Sequence, residues 1–491
     1  MKQAIENLIH LMWMKEVIEK RDHHYVRNQL YHMLNLEIDE LVPAPKIIYH
    51  PSEALEIILD ALEKKGRLDG SKVARDLFDA KIMNIFAKKP SDVEKTFDEL
   101  YQTHPTHATK WYYQYAQSLN YIRMDRVLKN ISFHTDTTFG KLDITINLSK
   151  PEKDPKSIIL AGQVVSTSYP KCLLCVENEG FSGNFQRDSR DQHRMISTKL
   201  QGEVYYFQYS PYIYYNEHAI VLSEVHRPMV INRKTFENLL LLCDQFEGYF
   251  FGSNADLPIV GGSILSHDHY QGGKHEFPIE RAEILKEWEK DDLSYACLKW
   301  PLSTIRIKGQ HIKSLVQAAS DTLHAWKHYE NERLNIFSHT GDTPHQTITP
   351  VARKKDGLYE LDLILRNNYI NEDYPLGLFH PHEDKWHIKK ENIGLIEAMG
   401  LAILPARLKH ELEDVKDYLL HGRDLFESSL MHQHWADQIK AKFDVKAETI
   451  DQLIQDEVGL IFEKVLTDCG VFKQDEEGMN AFIHFIEGEL L

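Results

Sequence analysis

The chain has no long hydrophobic run, few cysteines and no excess of positive charge. No apolar stretch in its 491 residues approaches the roughly 20 needed to cross a bilayer as a helix, which excludes a helical membrane protein. Five cysteines at this length exclude a disulfide framework. Cys243, Cys297 and Cys469 read as isolated buried thiols. Lys and Arg number 57 against 74 Asp and Glu, a formal charge of −17, and such a field repels nucleic acid. An anionic ligand therefore needs a local basic or amide-lined site. What is present is a globular composition, 42% hydrophobic and 10% aromatic, long enough for more than one domain. Ile5, Leu8, Ile9, Met12 and Trp13 recur at helical spacing near the start. Glu6 and His10 interrupt them and no small-residue cleavage site follows, so the expectation is no signal peptide and a cytoplasmic protein.

Residues 1–130 read as helical, with apolar positions at threes and fours through Ala54–Leu62 and Val93–Leu100 and prolines at the breaks. This segment offers no catalytic constellation and reads as scaffold. Strand signals begin with Asp143–Leu148, followed by a charged turn at Pro151–Pro155 and two strands within Glu203–Leu222 about Ser210-Pro211. A helix over Arg233–Phe250, a loop at Asn254–Pro258 and a strand over Ile259–Tyr270 follow. A second strand–helix–strand run occupies Trp300–Leu365, which suggests an internal duplication. From Glu391 the pattern is helical to the end. The expected organisation is an N-terminal helical region (1–130), two similar halves (131–280 and 281–400) and a C-terminal helical region (401–491).

The chemistry concentrates in Ser266-His267-Asp268-His269-Tyr270-Gln271-Gly272-Gly273. On an extended strand His267, His269 and Gln271 share one face. Two imidazoles and an amide make a poor apolar surface and a workable reaction surface, because neutral imidazole is a competent nucleophile near pH 7. The glycines allow backbone to approach a ligand closely. Earlier in the chain, Cys172-Leu173-Leu174-Cys175 can chelate zinc or remain two reduced thiols. Chelation needs two more ligands, for which His226 and His267 are the candidates.

Together these segments resemble the galactose-1-phosphate uridylyltransferase family of the histidine-triad superfamily, in its second, Gram-positive sequence class. The resemblance lies in Ile144–Pro155, Tyr169-Pro170-Lys171-Cys172-Leu173-Leu174-Cys175, Phe207–Tyr212 and Ser263–Gly273. It implies an α+β fold of duplicated histidine-triad-like antiparallel sheet units with helices, flanked by helical N- and C-terminal regions. It also implies UMP exchange between UDP-glucose and galactose 1-phosphate, and a homodimer. His269 stands at the nucleophile's position and Gln271 at that of the phosphate contact. A third histidine in the place of Gln271 is associated with hydrolysis; glutamine only hydrogen-bonds and favours a stable uridylyl-histidine. Asn254 and Asn216 resemble nucleotide contacts, and Ser263 and Ser266 lie in the backbone expected to meet phosphate. Arg187, Arg190 and Arg194 are further phosphate candidates, with a solvated basic face as the alternative.

The first sequence class holds zinc at positions that look like Cys172, Cys175, His226 and His267. Four protein ligands leave no open position, so such a metal would be structural and would orient His269. For a second metal only His339 has a counterpart, with Thr349 and Val351 where two ligands would fall, and none is expected. His380, His382 and His387 read as an exposed polar loop. Other readings of the same residues are a dinucleotide phosphorylase or adenylyltransferase, a metallohydrolase needing an open metal position, and a non-catalytic zinc-stabilised nucleotide-binding module.

Overall fold

The structure, a computed structural model, describes residues 1–36, 43–149, 168–262 and 264–491. The turn expected at Pro151–Pro155 and Ser263 lie outside the described residues. The fold is α+β, and the chain divides into two compact units. The first comprises Met1–Lys129, Ser149–Ile213 and Glu217–Arg227; the second comprises Asn130–Leu148, Tyr214–Asn216 and Pro228–Leu491. Among the described residues, no helix is long and apolar enough to cross a membrane.

The first unit opens with helices Lys2–Met14, His23–Met33, Pro51–Lys64, Lys72–Asn84, Pro90–Thr103 and Pro105–Ser118. Proline at the first position of three of them supplies a fixed φ where no intrahelical N–H bond is lost. The Ile5, Leu8, Ile9 and Met12 stripe is buried, as its spacing requires. Strands Ile196–Leu200, Glu203–Tyr209 and Ala219–Ser223 form an antiparallel meander. The two strands expected about Ser210-Pro211 are therefore present.

The second unit is built on an antiparallel run of seven strands. In spatial order these are His269–Gly273, Phe250–Gly252, Gln346–Lys355, Leu358–Asn367, Thr304–Gly309, Leu293–Leu298 and Ile284–Lys290. Helices Arg233–Gln245 and Ile312–His328 pack on it, their Leu239, Leu242, Leu315 and Leu323 buried. The first stops five residues short of the expected end, since Phe250 begins a strand. Its core joins Phe277, Trp300, Ile364, Leu395 and Phe462. Each such side chain contributes about 1.5–3 kcal/mol by leaving water. Trp300 buries its indole without penalty because Nε1 donates to the Ala398 carbonyl at 2.9 Å.

Two sequence expectations fail here for one reason, that strand length and pairing are set by partners distant in sequence. The tract after Glu391 is not wholly helical: Leu401–Leu404 forms a strand parallel to Gly140–Ile146. The reaction strand is shorter than Ile259–Tyr270, beginning only at His269, and His267 lies in the bend before it.

The histidines read as an exposed loop are also corrected. His380 and His387 are buried and His382 is half-buried. His380 Nε2 meets Asn392 Oδ1 at 3.1 Å, and His387 Nδ1 meets His432 Nδ1 at 3.0 Å. Hydrogen-bond partners 12 and 45 residues away make burial of these rings tolerable.

Candidate active site and metal-ligating cluster

His269 begins the strand His269–Gly273, which pairs with Phe250–Gly252 and places Gln271 opposite Gly252. The strand can pack this closely only because residue 272 is glycine: a Cβ there would sit 2.4 Å from the Phe251 ring. His269 is 6% exposed, and its Nδ1 lies 2.7 Å from the His267 carbonyl oxygen. A carbonyl can only accept, so Nδ1 carries the proton and Nε2 keeps its lone pair. Burial lowers the pKa of the ring from its ordinary value, which holds it neutral at pH 7. The chain thus presents a neutral imidazole in a single tautomer, as nucleophilic chemistry requires. Gln271 is half-buried two residues on.

Asn254 is buried in the same unit. Its Oδ1 accepts from the Leu395 N–H at 2.8 Å, leaving its Nδ2 hydrogens to offer to a ligand. Asn216 is exposed, and its carbonyl takes the N–H of Lys274 at 3.1 Å, just past the reaction strand. Ser266 is exposed in the bend before His267.

The first unit holds the CxxC loop. Cys172 Sγ and Cys175 Sγ are 3.5 Å apart, and Cys175 Sγ is 3.2 Å from His226 Nδ1. Asn178 pins the loop by donating to the carbonyls of both Cys172 and Cys175 at 2.8 Å. Tetrahedral bonds of about 2.0–2.3 Å place zinc ligands roughly 3.3–3.8 Å apart, close to the 3.5 and 3.2 Å separations of these donors. Burial pushes the Cys175 thiol up to about 12. His267, the remaining candidate, is wholly buried in the second unit.

The arginines divide. Arg187 donates to the Pro170 carbonyl and so braces the CxxC loop. Arg194 is engaged within the protein: its guanidinium donates to the carbonyls of Lys88, Asp191 and His193 and to Asn84 Oδ1. Arg190 faces a cavity of the first unit that Tyr121, Arg123 and Asp188 also line. Of the residues considered for a second metal, His339 is exposed, while Thr349 and Val351 are buried in the strand Gln346–Lys355.

Comparison with known proteins decides the family. The model described as "Galactose-1-phosphate uridyl transferase, N-terminal domain" matches residues 16–228, and the corresponding C-terminal domain model matches 242–437. The chain belongs to the galactose-1-phosphate uridylyltransferase family. It is an enzyme, a nucleotidyltransferase. Family members of that name from Clostridium perfringens (strain SM101 / Type A) and Bacillus subtilis (strain 168) are 47% and 44% identical to it. The first match covers 98% of this chain and 97% of the relative; the second covers 99% and 97%. Among solved structures it resembles yeast Ap4A phosphorylase Apa2, with a TM-score of 0.36 and 10% identity over 77% of this chain and 97% of the other.

Proposed function

We propose that the chain transfers UMP from UDP-glucose to galactose 1-phosphate through a uridylyl group held on His269. The observation that carries this reading is the His269 Nδ1 contact with the His267 carbonyl, which leaves Nε2 unprotonated on a buried ring. Nε2 attacks the α-phosphorus of UDP-glucose; the P–N bond forms as the bond to glucose 1-phosphate breaks. The ring then carries positive charge, and its Nδ1–H bond to the carbonyl strengthens as that charge develops. A phosphate oxygen of galactose 1-phosphate next attacks the phosphorus of the uridylyl-histidine; the P–O bond forms as the P–N bond breaks, which releases UDP-galactose and neutral His269. That oxygen is already ionised at pH 7, so no strong general base is needed. Gln271 and Asn254 contribute N–H donors to the nucleotide, with Asn216, Ser263 and Ser266 as further contacts. Because Gln271 cannot donate a proton as an acid, the uridylyl-histidine survives until an acceptor arrives.

We further propose zinc on Cys172, Cys175, His226 and His267. When bound, it supplies a structural clamp and no Lewis-acid chemistry, since the protein fills all four positions. Held in this way, His267 keeps its carbonyl fixed against His269. The same reading takes the enzyme as a cytoplasmic homodimer with two histidine-triad-like halves, 131–280 and 281–400, between helical ends. It is tested by chromatography of a reaction with both substrates. UDP-galactose and glucose 1-phosphate forming in equal amounts support it, and release of free UMP with no UDP-galactose contradicts it.

A further inference from the structure

Asn254 can offer Nδ2 to a nucleotide only while its carboxamide faces one way, and a residue 141 positions later holds it so. The Leu395 N–H can only donate, so at 2.8 Å it meets Oδ1 and not Nδ2. Two glycines leave room for the amide. A Cβ on Gly394 would stand 3.1 Å from Oδ1, and one on Gly262 would stand 2.5 Å from Nδ2. The Leu395 side chain lies against Gly252, where a Cβ would come within 2.8 Å of its Cδ1, and Gly252 is the residue paired with Gln271. The segment 393–395 therefore bears on Asn254 directly and on Gln271 through its strand partner.

Arg366, in the strand Leu358–Asn367, holds that segment in place. Its Nη2 donates to the Ile393 carbonyl at 2.9 Å and its Nη1 to Thr349 Oγ1 at 3.3 Å. Arg366 is 1% exposed, its Nε is buried with no hydrogen-bond partner, and among the described residues no carboxylate pairs with it. Glu397, whose field reaches it, is bonded instead to Lys389 at 3.1 Å. A cation buried without an acid is costly, and Met or Leu would fill much the same volume without that cost. Neither could join Thr349, in the strand Gln346–Lys355, to the Ile393 carbonyl. That bridge is what the guanidinium alone supplies.

We infer that Arg366 and Gly394 are positioning residues of the nucleotide site: Arg366 fixes the backbone of 393–395, the Leu395 N–H turns the Asn254 carboxamide, and Gly394 leaves its oxygen room. Both act through Asn254, so the inference rests on the reading of Asn254 as a nucleotide contact. Neither residue belongs to a motif legible in the sequence.

The test is rapid-quench labelling of the full chain by UDP-glucose with no acceptor, which separates the apparent dissociation constant, the limiting rate and the fraction of enzyme labelled. Asn254→Ala is expected to raise the dissociation constant about tenfold, the loss of one hydrogen bond to a charged group. Arg366→Met and Gly394→Ala should each raise it about threefold or more, with the limiting rate and the labelled fraction within about twofold of the parent. Added to Asn254→Ala, neither has a further effect, because the carboxamide through which they act is gone. A merely structural role lowers the labelled fraction and leaves the dissociation constant of the remainder unchanged. That result, or effects that multiply in the double variants, overturns the inference while the Asn254 contact stands. Gly394 has φ −86°, which alanine adopts freely, so Gly394→Ala decides the matter if Arg366→Met does not fold. Asn254→Ala that binds as the parent does contradicts the nucleotide contact and removes the inference with it. A parent that UDP-glucose does not label counts against the reaction, and calorimetric titration of the same variants with UMP then reads the same differences in dissociation constant.

Discussion

The Nδ1 of His269 lies 2.7 Å from the main-chain carbonyl of His267, two residues earlier. This one contact fixes the tautomer of a buried ring and leaves its other nitrogen, the proposed nucleophile, unprotonated. It also gives His267 a purpose besides the proposed metal binding, since whatever holds His267 holds the acceptor of that bond.

The rate of uridylylation should stay flat as the pH falls through the ordinary histidine range. Burial lowers the pKa of His269, so the reactive neutral ring is lost only when the pH falls through that lowered value. Rapid-quench labelling by UDP-glucose at a series of pH values checks this. An acid limb with its midpoint at or above about 6.5 would contradict the account.

Gln271→His should turn transfer toward hydrolysis. An imidazole at this position can protonate a leaving group, and positioned acids contribute about 10²-fold or more. Incubated with UDP-glucose alone, the variant should release UMP roughly 10²-fold faster than the parent. Equal UMP release from the two proteins would show that Gln271 does not govern the outcome.

Cys175→Ala should remove zinc and loosen the loop tied down by Asn178. A metal held a thousandfold above its dissociation constant stabilises by about 4 kcal/mol. The substitution should therefore lower both metal content by elemental analysis and the thermal midpoint. A parent enzyme that is metal-free yet fully active and equally stable would exclude the clamp.

Acid should unfold the enzyme partly through His387 and His432. Glu411 Oε2 accepts from His432 Nε2 at 3.0 Å, so His432 Nδ1 is left to accept from His387 Nδ1–H. This chain of bonds needs His432 neutral, and burial disfavours charge on both rings. Burial pushes His387 down to about 3, and His432 is lowered for the same first reason. The unfolded chain therefore binds more protons below about 6.5. Their stabilisation is complete above that pH and is lost as pH falls from it toward 3, by at most about 1.4 kcal/mol per pH unit per ring. Urea unfolding of the parent and of His387→Phe should show a shallower pH slope in the variant. Identical slopes would exclude the pair.

Much of the site was readable because its signals are local. His269 and Gln271 declare themselves by alternation, and Cys172 and Cys175 by a spacing that suits a chelating loop. What the sequence hid depends on distant partners. That His267 lies in a bend rather than on the strand follows from the strand's beginning only at His269. The strand Leu401–Leu404 needs Gly140–Ile146 beside it, over 250 residues away, and alone its four apolar residues resemble a helix turn. His387 looked polar and exposed because its partner, His432, comes 45 residues later.

The central claim is the covalent uridylyl group on His269, and intact-mass measurement after incubation with UDP-glucose and no acceptor tests it most directly. The account predicts one uridylyl adduct that galactose 1-phosphate discharges and that His269→Ala never forms. An adduct persisting in His269→Ala, or turnover without any adduct, would contradict it.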